Sequence, residues 1–207
     1  MINLKLQEKR FSRHIATFQD LGCIKILDFK RPDSCEYRIR FMFEEDYYRL
    51  HISGDLGELI ASNYKNMCWE GFEDFVHNPG YFEGKIICHS RRIYSYDYDL
   101  AKEKLEEILK DYDFTPEYDF ETEEELRGEK IEEILEDFDE DTGIGRSGYQ
   151  ILHEYDSDCW EYISDIGKEE TGILDLYMLA FELAVKQLKE AMNVEKNNSE
   201  EDSADSI

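Results

Sequence analysis

The sequence lacks a long apolar run, a paired-cysteine spacing and a nucleophile motif, and its second half is short of basic side chains. Nowhere do about 18 consecutive residues read as apolar, so no transmembrane helix is expected. Residues Met1 to Glu8 hold no apolar stretch of signal-peptide length. The five cysteines, Cys23, Cys35, Cys68, Cys88 and Cys159, are odd in number and contain no C-x-x-C pair. Each lies within or beside an apolar run, which reads as reduced thiols in a cytoplasmic protein. The five histidines are scattered. Cys88–His89 is the one adjacent soft-ligand pair, too little for a metal site. No internal repeat is visible.

What is present is charge of one sign, unevenly placed. The chain has 207 residues, 50 Asp and Glu against 24 Lys and Arg, and a net charge of −26. Residues 1–96 are neutral, with 14 of each sign, whereas 97–141 carry 21 acidic and 5 basic side chains and 142–207 carry 15 and 5. A hydrophobic content of 41% and aromatic content of 14% suffice for a core, so the acidity belongs to a folded protein. A folded anionic surface suits a cationic partner and repels anionic lipid and nucleic-acid phosphate.

The periodicities predict an α+β fold: an N-terminal helix and a small antiparallel sheet of three or four strands, then a mostly helical acidic half. Phe11, Ile15 and Phe18 predict a helix over 6–21, ended by Gly22. Strands are expected at 23–29, 35–43, 47–53 and 58–62. In the second, Tyr37, Ile39, Phe41 and Phe43 alternate with Glu36, Arg38 and Arg40. Trp69, Phe72, Phe75 and Val76 predict a helix broken by Asn78-Pro79-Gly80, and 81–88 reads as another. Further helices are expected over 97–112, 122–138 and 173–192, with a loop at 142–148 and one or two short helices in 149–166. The 173–192 helix is apolar nearly all round, which predicts either a core spine or a homodimer interface. The expected divisions are a neutral region 1–96, an acidic helical region 97–192 and a disordered acidic tail 193–207.

The candidate partner-binding residues lie on the two acidic helices. Glu103, Glu106, Glu107 and Asp111 line the first. On the second, Glu125, Glu129, Glu133, Asp137 and Asp141 fall at i, i+4, beside a row of Glu132, Glu136 and Glu140. At about 1.5 Å per residue these eight carboxylates give one negative charge per roughly 3 Å, close to the ~3.4 Å phosphate spacing of a DNA strand. Like charges at i, i+4 cost about 0.2–0.5 kcal/mol each, and several of these residues crowd a helix C-terminus, the unfavourable end for anions. A helix needing only solubility would mix in lysines.

Other patterns are weaker. Asp137-Phe-Asp139-Glu-Asp141-Thr-Gly143 begins like a calcium loop, but the glycine falls at position seven, and position twelve is Gly148 where a bidentate Glu is needed. Gly143-Ile-Gly145-Arg-Ser-Gly148 lacks the preceding strand and the Lys-Ser/Thr ending of a phosphate loop. No enzyme, cofactor or metal is expected, and carboxylates are too abundant for any pair to be chosen as acid and base.

Confined acidity, carboxylate-studded helices and no active-site motif resemble the acidic DNA-mimic inhibitors of phages and mobile elements, the antirestriction and anti-CRISPR proteins. The likeness is one of charge architecture over 97–141. The stretch from Ser53-Gly54-Asp55-Leu56-Gly57 to Gly80-Tyr81-Phe82-Glu83-Gly84-Lys85-Ile86 also resembles uncharacterised proteins of low-GC Gram-positive bacteria and their phages. The second likeness implies no activity, and the likeness to the DNA-mimic inhibitors implies a non-catalytic inhibitor in the cytoplasm of a bacterial host. Its partner would be a basic nucleic-acid-binding protein, a Cas9-type nuclease or a restriction enzyme, held by mimicry of nucleic acid. The alternatives are an immunity protein against a basic toxin, where opposite charge also speeds association, and an acidic regulatory or structural dimer.

Overall fold

The computed structural model describes residues 2–114 and 122–204, with side chains as far as Asn193 on the last helix. It is α+β, and its sheet is larger than expected: six strands in chain order, every neighbouring pair antiparallel. The order is α1 (Leu4–Phe11), β1 (Ile15–Asp20), β2 (Ile24–Lys30), β3 (Ile39–Glu44), β4 (Arg49–Gly54), β5 (Leu59–Ser62), α2 (Glu73–Val76), α3 (Pro79–Glu83) and β6 (Ile86–His89). Then come β7 (Tyr94–Tyr96), α4 (Tyr98–Leu109), α5 (Glu123–Ile134), α6 (Arg146–Tyr155), two 3₁₀ turns (Cys159–Glu161 and Ile163–Asp165), β8 (Lys168–Glu170) and α7 (Ile173–Ala204).

Two compact units result: Ile93–Thr171, and Ile2–Arg92 together with the chain from Gly172. These units divide after Arg92 and after Thr171, where the sequence suggested 96 and 192. The helix from 173 joins the neutral N-terminal part because its neighbours are β1, β2, α1, α2 and α3. It also continues past Met192 as far as Ala204, and residues 205–207 of the expected tail lie outside the described residues. So do residues 115–121, Pro116 among them.

In the sheet unit, strand alternation sets the core. Phe41 sits opposite Leu27 on one side and Ile52 on the other, and Phe43 opposite Leu50, so all five buried side chains share a face. Phe181 of α7 covers that face, with its ring 5.3 Å from Phe41, 4.8 Å from Phe72 and 5.6 Å from Trp69. Ile173, Leu174, Leu176, Tyr177, Met178, Ala180, Phe181 and Ala184 are buried. The apolar circumference that suggested a dimer is therefore largely covered within the chain.

Two helices foreseen from periodicity are partly strand. The 6–21 segment ends its helix at Phe11, and Ile15–Asp20 pairs with β2 over six residues. The spacing of Phe11, Ile15 and Phe18 fitted a helix, but Ile15 is 51% exposed while Phe18 turns onto Trp69, 4.4 Å between rings. β-Branched Ile15 and Thr17 favour the extended chain. Likewise Ile86–His89 pairs with β5 through a bulge at Ile60/Ala61. Asn78-Pro79-Gly80 starts a helix: the Asn78 side chain accepts from the Tyr81 amide at 3.1 Å, and Pro79 occupies the first turn.

In the 93–171 unit the core comprises Ala101, Leu105 and Leu109 of α4, Ile131 and Ile134 of α5, Leu152 of α6, and Cys159 and Ile166. Gly148 lets α6 approach α5, because a Cβ there would stand 2.1 Å from the Ile134 carbonyl oxygen. The small β7–β8 ladder pairs Tyr94 with Glu170 and Tyr96 with Lys168.

Candidate functional site

Taking the two units separately sharpens the charge asymmetry. Ile93–Thr171 holds 28 acidic and 7 basic residues, net −21, and the sheet unit 22 and 17, net −5. All twelve sequence-identified carboxylates are exposed. Glu103, Glu106 and Glu107 stand on α4 with Asp111 just beyond it, and Glu125, Glu129, Glu132 and Glu133 on α5.

The long i, i+4 row is shorter than expected. α5 stops at Ile134, so Glu136, Asp137, Glu140 and Asp141 are not helical. Asp139 closes a tight turn instead: its amide bonds the Gly143 carbonyl at 3.0 Å, and its carboxylate accepts from the Asp141 amide at 2.9 Å. Over Glu125, Glu129 and Glu133 the row spans about 12 Å, the length of three or four phosphates on one strand.

Several of the twelve do structural work. Asp137 caps α6 from a distance, accepting from the Ser147 amide at 2.8 Å and the Gly148 amide at 3.2 Å, where the helix dipole favours an anion. A Cβ on Gly145 would lie 2.3 Å from the Asp137 carboxylate, so the glycine makes room for it. Glu125 completes a capping box with Thr122. Glu132 accepts from Lys102 and from the Tyr98 hydroxyl, tying α5 to α4, and Lys102 holds its carboxyl below the usual range. Glu107 pairs with Lys104 and Glu133 with Lys130 on their own helices. Among the described residues no ion pair engages Glu103, Glu106, Asp111, Glu129, Glu136 or Glu140.

The sequence reading missed a cleft of about 380 Å³ in this unit, which brings Asp111 together with Asp156 and Asp165 beside Tyr112 and Tyr162. Burial, then the Asp156 carboxylate 2.8 Å away, pushes the Tyr162 hydroxyl far above its ordinary range. No local motif marks this group, because its members come from two stretches of chain more than forty residues apart, 111–112 and 156–165. The Cys159 Sγ lies 4.0 Å from His153 Nδ1. Burial and then Asp156 and Asp158 push that thiol up, the reverse of what activates a cysteine nucleophile.

Among the described residues, Glu45, Cys68 and Glu70 of the sheet unit place ligand atoms within 4.8 Å of one another, the one arrangement able to share a cation. Glu45 is already engaged, accepting from the Trp69 amide at 3.1 Å and facing Lys25 at 3.8 Å. At Cys88–His89 the imidazole Nδ1 faces the Arg91 carbonyl at 2.6 Å. No helix among the described residues is long and apolar enough to cross a membrane. No family model, curated protein or solved structure matches the chain.

Proposed function

We propose that the protein is a non-catalytic inhibitor whose 93–171 unit docks on the positively charged nucleic-acid-binding surface of a host defence effector, a Cas9-type nuclease first among candidates. The supporting observation is the net charge of −21 gathered on one contact unit with its candidate carboxylates exposed. Such a field raises the encounter rate with a basic channel and competes with the nucleic acid that the channel holds. Because the regular carboxylate row covers only about three or four phosphate spacings, summed field contributes more than an atom-by-atom copy of the backbone.

The test is a gel-shift competition with a Cas9-type nuclease loaded with guide RNA, titrating the protein against labelled target duplex at low and moderate salt. Loss of the shifted band at stoichiometric protein, weakening as salt rises, is the expected result. Undisturbed duplex binding, with or without loss of cleavage, would refute competition for the channel.

A further inference from the structure

The sheet unit contains a second charged feature, of opposite sign. The end of α1, the β2–β3 connection and the turn after β4 enclose a cleft of about 770 Å³, a volume suited to a small organic ligand. Lys9, Arg10, Arg13 and Arg31 line it. With Arg38, the partner of Asp55, they make five cations against three carboxylates, Asp33, Glu36 and Asp55, in a chain that is otherwise strongly anionic.

The carboxylates are committed. Asp33 pairs with Arg13 at 2.5 Å and Arg31 at 3.2 Å, Glu36 lies 3.7 Å from Arg31, and Asp55 faces Arg38 at 3.6 Å while accepting from its amide. Among the described residues, Lys9 and Arg10 have no carboxylate partner. The negative end of α1 accounts for about half a charge of this surplus and no more.

The wall opposite Arg10 is built with unusual care. Tyr37 adopts a left-handed backbone, φ 58°, which costs a non-glycine residue energy and persists only when neighbours enforce it. Three neighbours do so. Arg10 donates to the Tyr37 hydroxyl and lies over its ring at 5.1 Å. Phe11 meets the ring edge-on at 5.8 Å. His14, 2% exposed, donates from Nε2 to the Tyr37 carbonyl at 3.1 Å, and burial lowers the pKa of its imidazole. The cationic side chains of the cleft are Lys9 and the arginines.

We infer that this cleft binds a phosphate-bearing small molecule, with Lys9 and Arg10 holding the anionic group and His14 positioning Tyr37 as the wall behind it. Two uncompensated cations match the nearly two negative charges of a phosphate monoester at neutral pH, and arginine forks suit its oxygens. A ligand here would not depend on the acidic unit, so the site stands apart from the proposed inhibition.

Isothermal titration of the full chain with pyrophosphate and with ribose 5-phosphate, each against sodium chloride at equal ionic strength, tests the inference. Saturable one-to-one binding of either probe is expected. Preference for the sugar phosphate would assign an organic ester and preference for pyrophosphate an inorganic one. Lys9→Glu with Arg10→Glu should weaken binding at least about tenfold, whereas Lys65→Glu with Lys85→Glu, the same change of net charge at residues that do not line the cleft, should alter it less than about twofold. If the first pair fails to fold by circular dichroism, Lys9→Gln with Arg10→Gln takes its place with the same expectation. No saturable binding of either probe up to about 10 mM, or equal losses in cleft and control variants, overturns the site.

Discussion

Gln187 of α7 closes two hydrogen bonds on the open edge of β1, its Oε1 accepting from the Ala16 amide at 2.7 Å and its Nε2 donating to the His14 carbonyl at 2.9 Å. One side-chain amide thus does there what a seventh strand would do, and shields the edge from pairing with another chain. Gln187→Ala should lower stability by about 1 kcal/mol, as for the loss of ordinary hydrogen bonds at a partly exposed site. Urea unfolding checks the stability, and light scattering on warming should show earlier aggregation. An unchanged midpoint would mean that water replaces the amide at no cost.

Asp137 and Glu136 adjoin in sequence but serve different ends. Asp137→Ala removes the acceptor for the Ser147 and Gly148 amides and should cost about 1–2 kcal/mol, measured by denaturant unfolding. Glu136→Ala should stay within about 0.5 kcal/mol, as exposed substitutions usually do. Equal effects would refute the capping role.

Reversal of the unpaired carboxylates separates local field from bulk charge. Glu103, Glu106, Glu129 and Glu136, all changed to Lys, should abolish competition for a basic channel while the unit stays folded by circular dichroism. The matched set Glu8, Asp46, Asp74 and Glu182 on the sheet unit makes the same change in net charge and should weaken competition by less than about tenfold, roughly 1.4 kcal/mol. Identical losses in both sets would leave bulk charge as the only determinant.

Tyr177 is 1% exposed and donates its hydroxyl to the Leu56 carbonyl at 3.0 Å, and burial pushes its pKa up to about 12. The ordinary value is near 10, so between pH 10 and 12 the unfolded chain releases this proton while the folded chain keeps it. The contribution is whole below pH 10 and is lost as pH rises to 12, about 2–3 kcal/mol over the interval. Stability curves of the wild type and Tyr177→Phe should therefore converge over that range. Parallel curves would refute the assignment.

Because α7 spends its apolar surface inside the sheet unit, light scattering at micromolar concentration should give a single-chain mass of 24.6 kDa. Twice that mass would restore a dimer, with half-buried Leu179, Leu183 and Val185 as its first suspects.

Local pattern carried much of this protein. Alternation of Ile39, Phe41 and Phe43 identified β3, the stripe of Ala101, Leu105 and Leu109 identified α4, and the acidity of 97–141 is plain from composition. Those features depend on neighbours a few residues apart, which periodicity reads directly. The tertiary structure alone decided that Ile15–Asp20 and Ile86–His89 are strands, because each is defined by a hydrogen-bonded partner, β2 or β5, and not by its own spacing. It likewise decided that α7 belongs with the sheet, that Asp137 caps α6, and that Lys9, Arg13, Arg31 and Tyr37 surround one cleft. Each of those facts requires segments distant in sequence to meet, and pairing at long range leaves no mark in the local period of a chain.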